Sequence, residues 1–267
     1  MNLKTLYDTP PWDRPENTRE MLVEILQNHQ ADETDRLLAA ELAGEFTMVN
    51  DELVDVLLSI LNNGDAPQDL RGRAAISLGP VLEHADMDGF DDPDDVPITE
   101  NTFHTTKESL KKLYADADVP KVVRRRILEA SVRASEDWHS DAIHAAYASN
   151  DEEWKLTAVF SMRWVRGFDH QILEALETNN QDLHYQAVCA AGNWEIEAAW
   201  PHVSRLITSK ETDRSLLLAA IDAAVNIRPK EAGPILVDLT NSDDGDIVDA
   251  AYEAMAMAES LAEFEDQ

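Results

Sequence analysis

Apolar residues along this chain recur at spacings of three and four instead of alternating, and one helical phrase built on that rhythm returns seven times. Aligned on a small or aliphatic central residue, its anchors are Ala39, Ala74, Ile127, Ala158, Ala187, Ala220 and Ala251. The last five stand 31, 29, 33 and 31 residues apart. A period near thirty with helical patterning inside each unit describes a solenoid, because one unit has no partner of its own for its apolar face and must bury it against a neighbour.

Each unit reads as two helices. The first pair covers 16–29, with Leu22, Ile25 and Leu26 on one face, and 34–46, with Leu38, Leu42 and Phe46 at four-residue spacing. The second joins 51–61 to 69–85, where Gly79-Pro80 should end or kink the helix, since proline lacks an amide donor and clashes with the preceding turn. Later pairs are expected at 102–114 with 121–133, 138–148 with 152–165, 169–177 with 182–193, 195–208 with 213–227, and 230–239 with 246–258. The stretch 86–101, DMDGFDDPDDVPITEN, interrupts the rhythm and explains why Ala74 and Ile127 are 53 residues apart. The organisation expected is an N-terminal arm over 1–15 carrying Pro10, Pro11, Trp12 and Pro15, a single repeat domain over 16–258 with an acidic insertion loop at 86–101, and an acidic tail over 259–267.

The second helices resemble the bacterial HEAT-like repeat, whose pattern is approximately D-x-x-V-R-x-x-A-x-x-A-L-G. The best matches are DLRGRAAISLG at 69–79 and DLHYQAVCAAG at 182–192. The pattern's arginine falls on Arg36, Arg71 and Arg124, is replaced by Lys155 and His184, and is abandoned at Leu217 and Val248. Pro201 and Pro234 match the proline that opens many HEAT first helices. The resemblance implies an all-α fold, a right-handed α-solenoid of about seven antiparallel helix pairs forming a HEAT/armadillo-like superhelix whose second helices line a concave face. It also implies a non-enzymatic scaffold binding a protein or peptide on that face. Some HEAT-like proteins, the phycobilin lyases among them, are instead lyase-like chaperones or enzymes, which makes handling of a hydrophobic ligand the alternative.

Charge narrows the partner class. With 53 acidic against 22 basic residues the net charge is -31, which repels phosphate backbones and argues against nucleic acid. Such acidity, with only 8 Lys to 14 Arg, also fits a high-salt environment, where the Debye length falls to about 3 Å at 1 M salt and self-repulsion is screened. The single cysteine, Cys189, excludes intrachain disulfides and cysteine-rich zinc sites, and with no signal-like or membrane-spanning apolar run it points to the cytoplasm.

Candidate chemistry is sparse. No phosphate loop, dinucleotide glycine pattern, nucleophile elbow or HExxH occurs, so no catalytic residue and no cofactor is expected. Five of six tryptophans, Trp138, Trp154, Trp164, Trp194 and Trp200, crowd the fourth to sixth units. Trp and Arg are the residues on which binding energy concentrates, so Arg125, Arg126, Arg163, Trp164, Tyr185 and Trp194 are the expected partner-binding residues. Asp86, Asp88 and Asp91, near Gly89, resemble part of a calcium loop but lack its twelve-residue spacing and closing glutamate, so a solvated acidic loop is the competing reading.

Overall fold

Acidic and amide side chains start the helices where the repeat phrase places them. The carboxylate of Asp32 accepts from the Thr34 and Asp35 amides, and Asp151, Asn180 and Asp213 do the same for the helices that follow them. A side-chain acceptor at this position satisfies amides that have no partner inside the helix. Pro67 and Pro120 stand at the same position before two further second helices, fixing the chain direction without a side-chain bond.

The resulting elements, in this computed structural model, which describes residues 3–92 and 95–265, are sixteen α-helices joined by turns and short 3₁₀ segments, with no strand among the described residues. Pro93 and Asp94 of the acidic insertion, Met1 and Asn2 of the arm, and Asp266 and Gln267 of the tail lie outside the described residues. The chain forms two compact units, 1–139 and 140–267.

The first unit contains α1 (Leu3–Tyr7), α2 (Thr18–Gln27), α3 (Glu33–Ala43), α4 (Asp51–Asn62), α5 (Gln68–Ser77), α6 (Gly79–Asp88), α7 (Glu100–Ala115) and α8 (Lys121–Ser131). Pairs α2/α3, α4/α5 and α7/α8 are helical hairpins. First helices stack α2 on α4 on α7, and second helices stack α3 on α5 on α8. The core between the layers is aliphatic, with Leu22, Leu26, Leu42, Leu57, Leu61, Leu70 and Leu110 sealed from solvent.

The second unit takes up α9 (Trp138–Tyr147), which begins two residues before the division, then α10 (Glu152–Ser161), α11 (Asp169–Leu176), α12 (Gln181–Asn193), α13 (Trp200–Thr208), α14 (Arg214–Ile227), α15 (Pro229–Leu236) and α16 (Gly245–Glu265). Second helices stack α10 on α12 on α14 on α16, with α13 beside α15 among the first helices. Phe168 is the largest fully buried side chain. Each unit is thus an α-solenoid of stacked helix pairs.

The arginine of the repeat phrase has a defined job. Arg36 Nη2 donates to the Leu26 carbonyl at 3.0 Å, Arg71 Nε to Leu61 at 3.0 Å and Arg124 Nε to Tyr114 at 2.8 Å, each ten residues upstream. The cation sits on carbonyls at the end of the preceding helix, where orphan acceptors and the helix dipole both favour it. All three lie in the first unit.

The chain departs from the periodic pattern at three places. Residues 3–7 of the arm are helical, with Leu3 and Leu6 buried and α1 packed on α3, because this short apolar pair covers the outer end of the core. At Gly79-Pro80 the helix ends and restarts, with Pro80 in the first turn of α6, a position where proline's missing amide costs nothing. Asp86 and Asp88 therefore belong to α6, and the irregular stretch begins only at Gly89, whose φ of 71° favours glycine. Beyond it Val96 and Ile98 are buried and the Thr99 amide donates to Asp51 Oδ1 at 2.8 Å, so the insertion is anchored as well as acidic.

Candidate partner-binding site

The second-helix face of the second unit gathers four of the six residues singled out from the sequence. Arg163 follows the last turn of α10, and its guanidinium carbon stands 4.9 Å from the Trp164 ring and 5.9 Å from that of Phe160. The Phe160 and Trp164 rings are themselves 4.8 Å apart. From α12, Gln186 Oε1 accepts from Arg163 Nη1 at 3.4 Å. Trp194, the residue after α12, donates its indole N–H to the Met162 carbonyl at 2.5 Å, while the Arg166 guanidinium lies 4.5 Å from its ring. Asn193 Nδ2 closes the same junction on the Arg163 carbonyl at 3.2 Å. Guanidinium groups over aromatic faces are attracted by the ring quadrupole, so cations and rings here hold one another in place.

Tyr185 and Cys189, one turn apart on α12, lie within electrostatic reach of Arg163. Cys189 alongside it, then burial, raises the Tyr185 hydroxyl above its usual range, and burial raises the Cys189 thiol despite Arg163 nearby. A neutral thiol is a poor nucleophile. Trp164, Tyr185 and Trp194 are all half-buried, leaving part of each ring for a partner. The buried Nε of Arg163 has no hydrogen-bond partner, although an unpaired buried donor costs about 1–3 kcal/mol.

Arg125 and Arg126 lie on α8 of the first unit. Consecutive helical residues point about 100° apart, so the run Arg124-Arg125-Arg126 spreads over three directions. Arg124 turns back to the Tyr114 carbonyl, Arg125 is buried at 8 % exposure, and Arg126 emerges in the first unit beside Glu129, 2.5 Å away. Arg125 therefore offers no binding surface.

The three acids of the calcium reading are divided between a helix and the irregular stretch that follows it. Asp86 and Asp88 sit on the last turn of α6, and Asp88 faces His84 at 2.9 Å. A calcium loop needs irregular chain that turns carboxylates onto one point, and helical residues two apart diverge. Among the described residues no group of three or more His, Cys, Asp or Glu side chains is arranged around a metal.

Two histidine arrangements were not visible in the sequence spacing. His139 is buried at 1 % exposure, accepts the Glu136 amide on Nδ1 at 2.8 Å, and so directs Nε2–H to Ser131 Oγ at 2.9 Å. The proton on Nε2 makes this histidine a donor to serine, the reverse of a catalytic dyad. In the second unit His184 Nε2 lies 2.7 Å from His202 Nε2, and Glu177 Oε1 is 3.4 Å from His202 Nδ1.

No family profile and no curated protein matches the chain. Among solved structures it is similar to human deoxyhypusine hydroxylase in complex with glycerol, at 14 % identity and a TM-score of 0.43, covering 97 % of this chain and 88 % of that one. It is also similar to an engineered protein, at 16 % identity and a TM-score of 0.38 over 92 % and 98 % of the two chains. A designed armadillo repeat protein matches at 14 % identity and a TM-score of 0.34 over 89 % and 98 %. No helix of the described residues is long and apolar enough to cross a membrane.

Proposed function

We propose that the chain is a non-enzymatic interaction scaffold that takes a protein or peptide on the second-helix face around Arg163, Trp164, Tyr185 and Trp194. The observation that carries this reading is the state of Arg163. Its guanidinium is packed against Trp164 and Phe160 and makes one long side-chain bond, to Gln186, while its Nε goes unpaired. A carboxylate is the group that would pair with its Nη nitrogens, because the planar guanidinium matches a carboxylate's two oxygens, the Nε itself being sealed from any ligand. Half-buried rings on either side would take an apolar or aromatic neighbour of that carboxylate. The ligand is thus a segment with an acidic group beside an apolar side chain. In a chain of net charge -31, a held guanidinium also selects such a ligand by position, since the surrounding field repels it elsewhere.

The test is a quantitative pull-down from native lysate with the wild-type chain, Arg163→Glu and Trp164→Ala. The expected outcome is one dominant protein whose recovery falls at least tenfold with either variant while their melting temperatures stay near wild type. Equal recovery with all three proteins, or losses that follow melting temperature alone, would refute the assignment.

A further inference from the structure

We propose that the groove between α13 and α15 is a docking site for a second copy of this chain, whose Trp12 enters it, so that copies associate head to tail. The proposal is independent of the peptide reading and uses different residues, on the first-helix side of the second unit.

Trp12 is 82 % exposed, the most exposed large apolar side chain among the described residues. Such rings bury roughly 150–250 Å² each when covered, and tryptophan leads the residues on which binding energy concentrates. The arm holds this one in place. Pro10 and Pro11 precede it, the Asp13 amide donates to the Pro10 carbonyl at 3.0 Å, and Arg14 Nε donates to the Thr9 carbonyl at 3.0 Å. Arg14 Nη1 also pairs with Glu45, and its side chain is only 4 % exposed. The 3₁₀ turn Pro11–Asp13 is thus fastened to the first unit while its tryptophan stands in solvent. A ring presented on a fixed turn has little conformational entropy to lose on docking.

The groove has the complementary chemistry. Trp200, Pro201, Pro234 and Ile235 line it with apolar surface in an open volume of about 660 Å³, and Arg205 and Lys230 stand among them. Glu231, the acid of the lining, is opposed by Arg228 at 3.6 Å. A cationic rim is an inversion in a chain with 53 acidic against 22 basic residues. Trp12 carries the opposite sign beside it, in the exposed Asp8 and Asp13. An indole between carboxylates therefore meets an apolar floor between cations, whereas an acid-lined groove would repel it.

The two surfaces are different patches of one molecule, the arm on the first unit and the groove on the second, so the contact is heterologous and each copy keeps one surface open for the next. One ring and its neighbours fall short of the ~1,200 Å² of a standard interface, which makes the association weak and reversible. Copies of net charge -31 repel one another at a distance, and salt removes that repulsion more completely than it removes contacts at the groove. Association therefore strengthens as ionic strength rises.

The experiment is sedimentation velocity of the full chain in about 1 M KCl, where screening is nearly complete, over protein concentrations from about 10 μM to about 1 mM. The average mass should rise with concentration, and rise less at low salt. Trp12→Ala and Ile235→Glu should each weaken the association at least tenfold. An equimolar mixture of these two variants should associate again but stop at pairs, because one retains the groove and the other the arm. Met87→Ala, which removes another exposed apolar side chain of the first unit, should change nothing. A mass that stays monomeric at every concentration, association unaltered in Trp12→Ala, or a mixture that fails to regain it overturns the assignment. Arg205→Glu, at an exposed position, serves as the groove variant should Ile235→Glu lose its fold.

Discussion

A Cβ atom built on Gly192 would stand 2.7 Å from the Cα of Ala223 and 2.9 Å from its Cβ. The glycine that ends the repeat phrase is therefore what lets α12 and α14 approach backbone to backbone. Gly44 repeats the relationship in the first unit, where an added Cβ would meet the Ser77 carbonyl oxygen at 2.3 Å. Gly192→Ala should destabilise the chain by about 1–3 kcal/mol, the usual cost of forcing atoms into a filled interface. Gly64→Ala, with nothing within 4 Å, should be close to neutral in the same urea titration.

The arginine–carbonyl bond should be equally measurable. Arg71 is 5 % exposed and spends its Nε on Leu61. Arg71→Met keeps most of the stem packing and strands that carbonyl, so a loss of about 1.5–3 kcal/mol in chemical denaturation is expected. A change below a few tenths of a kcal/mol would show that water replaces the guanidinium without penalty.

His139 makes stability depend on pH. Burial drives its pKa from 6.5 down to about 4, against the opposing effect of Glu136. Between these values the unfolded chain carries a proton that the folded chain refuses, so stability is complete above pH 6.5 and falls as pH approaches 4. The loss amounts to about 3 kcal/mol, from roughly 1.4 kcal/mol per pKa unit. Urea unfolding at half-unit pH steps should show that slope for wild type, and His139→Gln should flatten it whatever its plateau.

Trp194 and Trp164 should separate structure from recognition. Trp194→Phe loses the indole bond to Met162 and should cost about 1–2 kcal/mol of stability. Trp164→Ala should act mainly on partner recovery, since its ring is half-buried against Phe160 and Arg163. Equal stability losses in the two would place both rings in the structural class.

Periodicity made the helix pairs legible because the apolar stripe and the capping residue agree at nearly every repeat: Asp32, Asp151 and Asp213 start helices where the phrase has its acid. It could not show the state of Arg125, since three adjacent arginines look like one patch in a sequence and point three ways on a helix. Nor could it show α1, where two leucines near three prolines carry too little pattern to mark a helix. Arg163 and Trp164 follow the end of α10 and Trp194 follows the end of α12, so stacking of the two helices brings them together, while Tyr185 lies earlier on α12 on the face toward Arg163. The histidine pair did not follow from register, because its members meet across different helix classes.

The arginine bonds and the glycine contacts differ in what they demand of a neighbour. Arg36, Arg71 and Arg124 each close onto a carbonyl of their own hairpin, so the bond is carried whole by a stretch of about thirty residues. Gly44 and Gly192 meet residues of the next hairpin, and their fit is a property of two modules at once. Splicing a hairpin in or out would leave every arginine bond intact, and at Gly44 or Gly192 it would put the new junction at the mercy of a single hydrogen atom on glycine. The length of such a protein is thus free to drift, while the identity of adjoining modules is not.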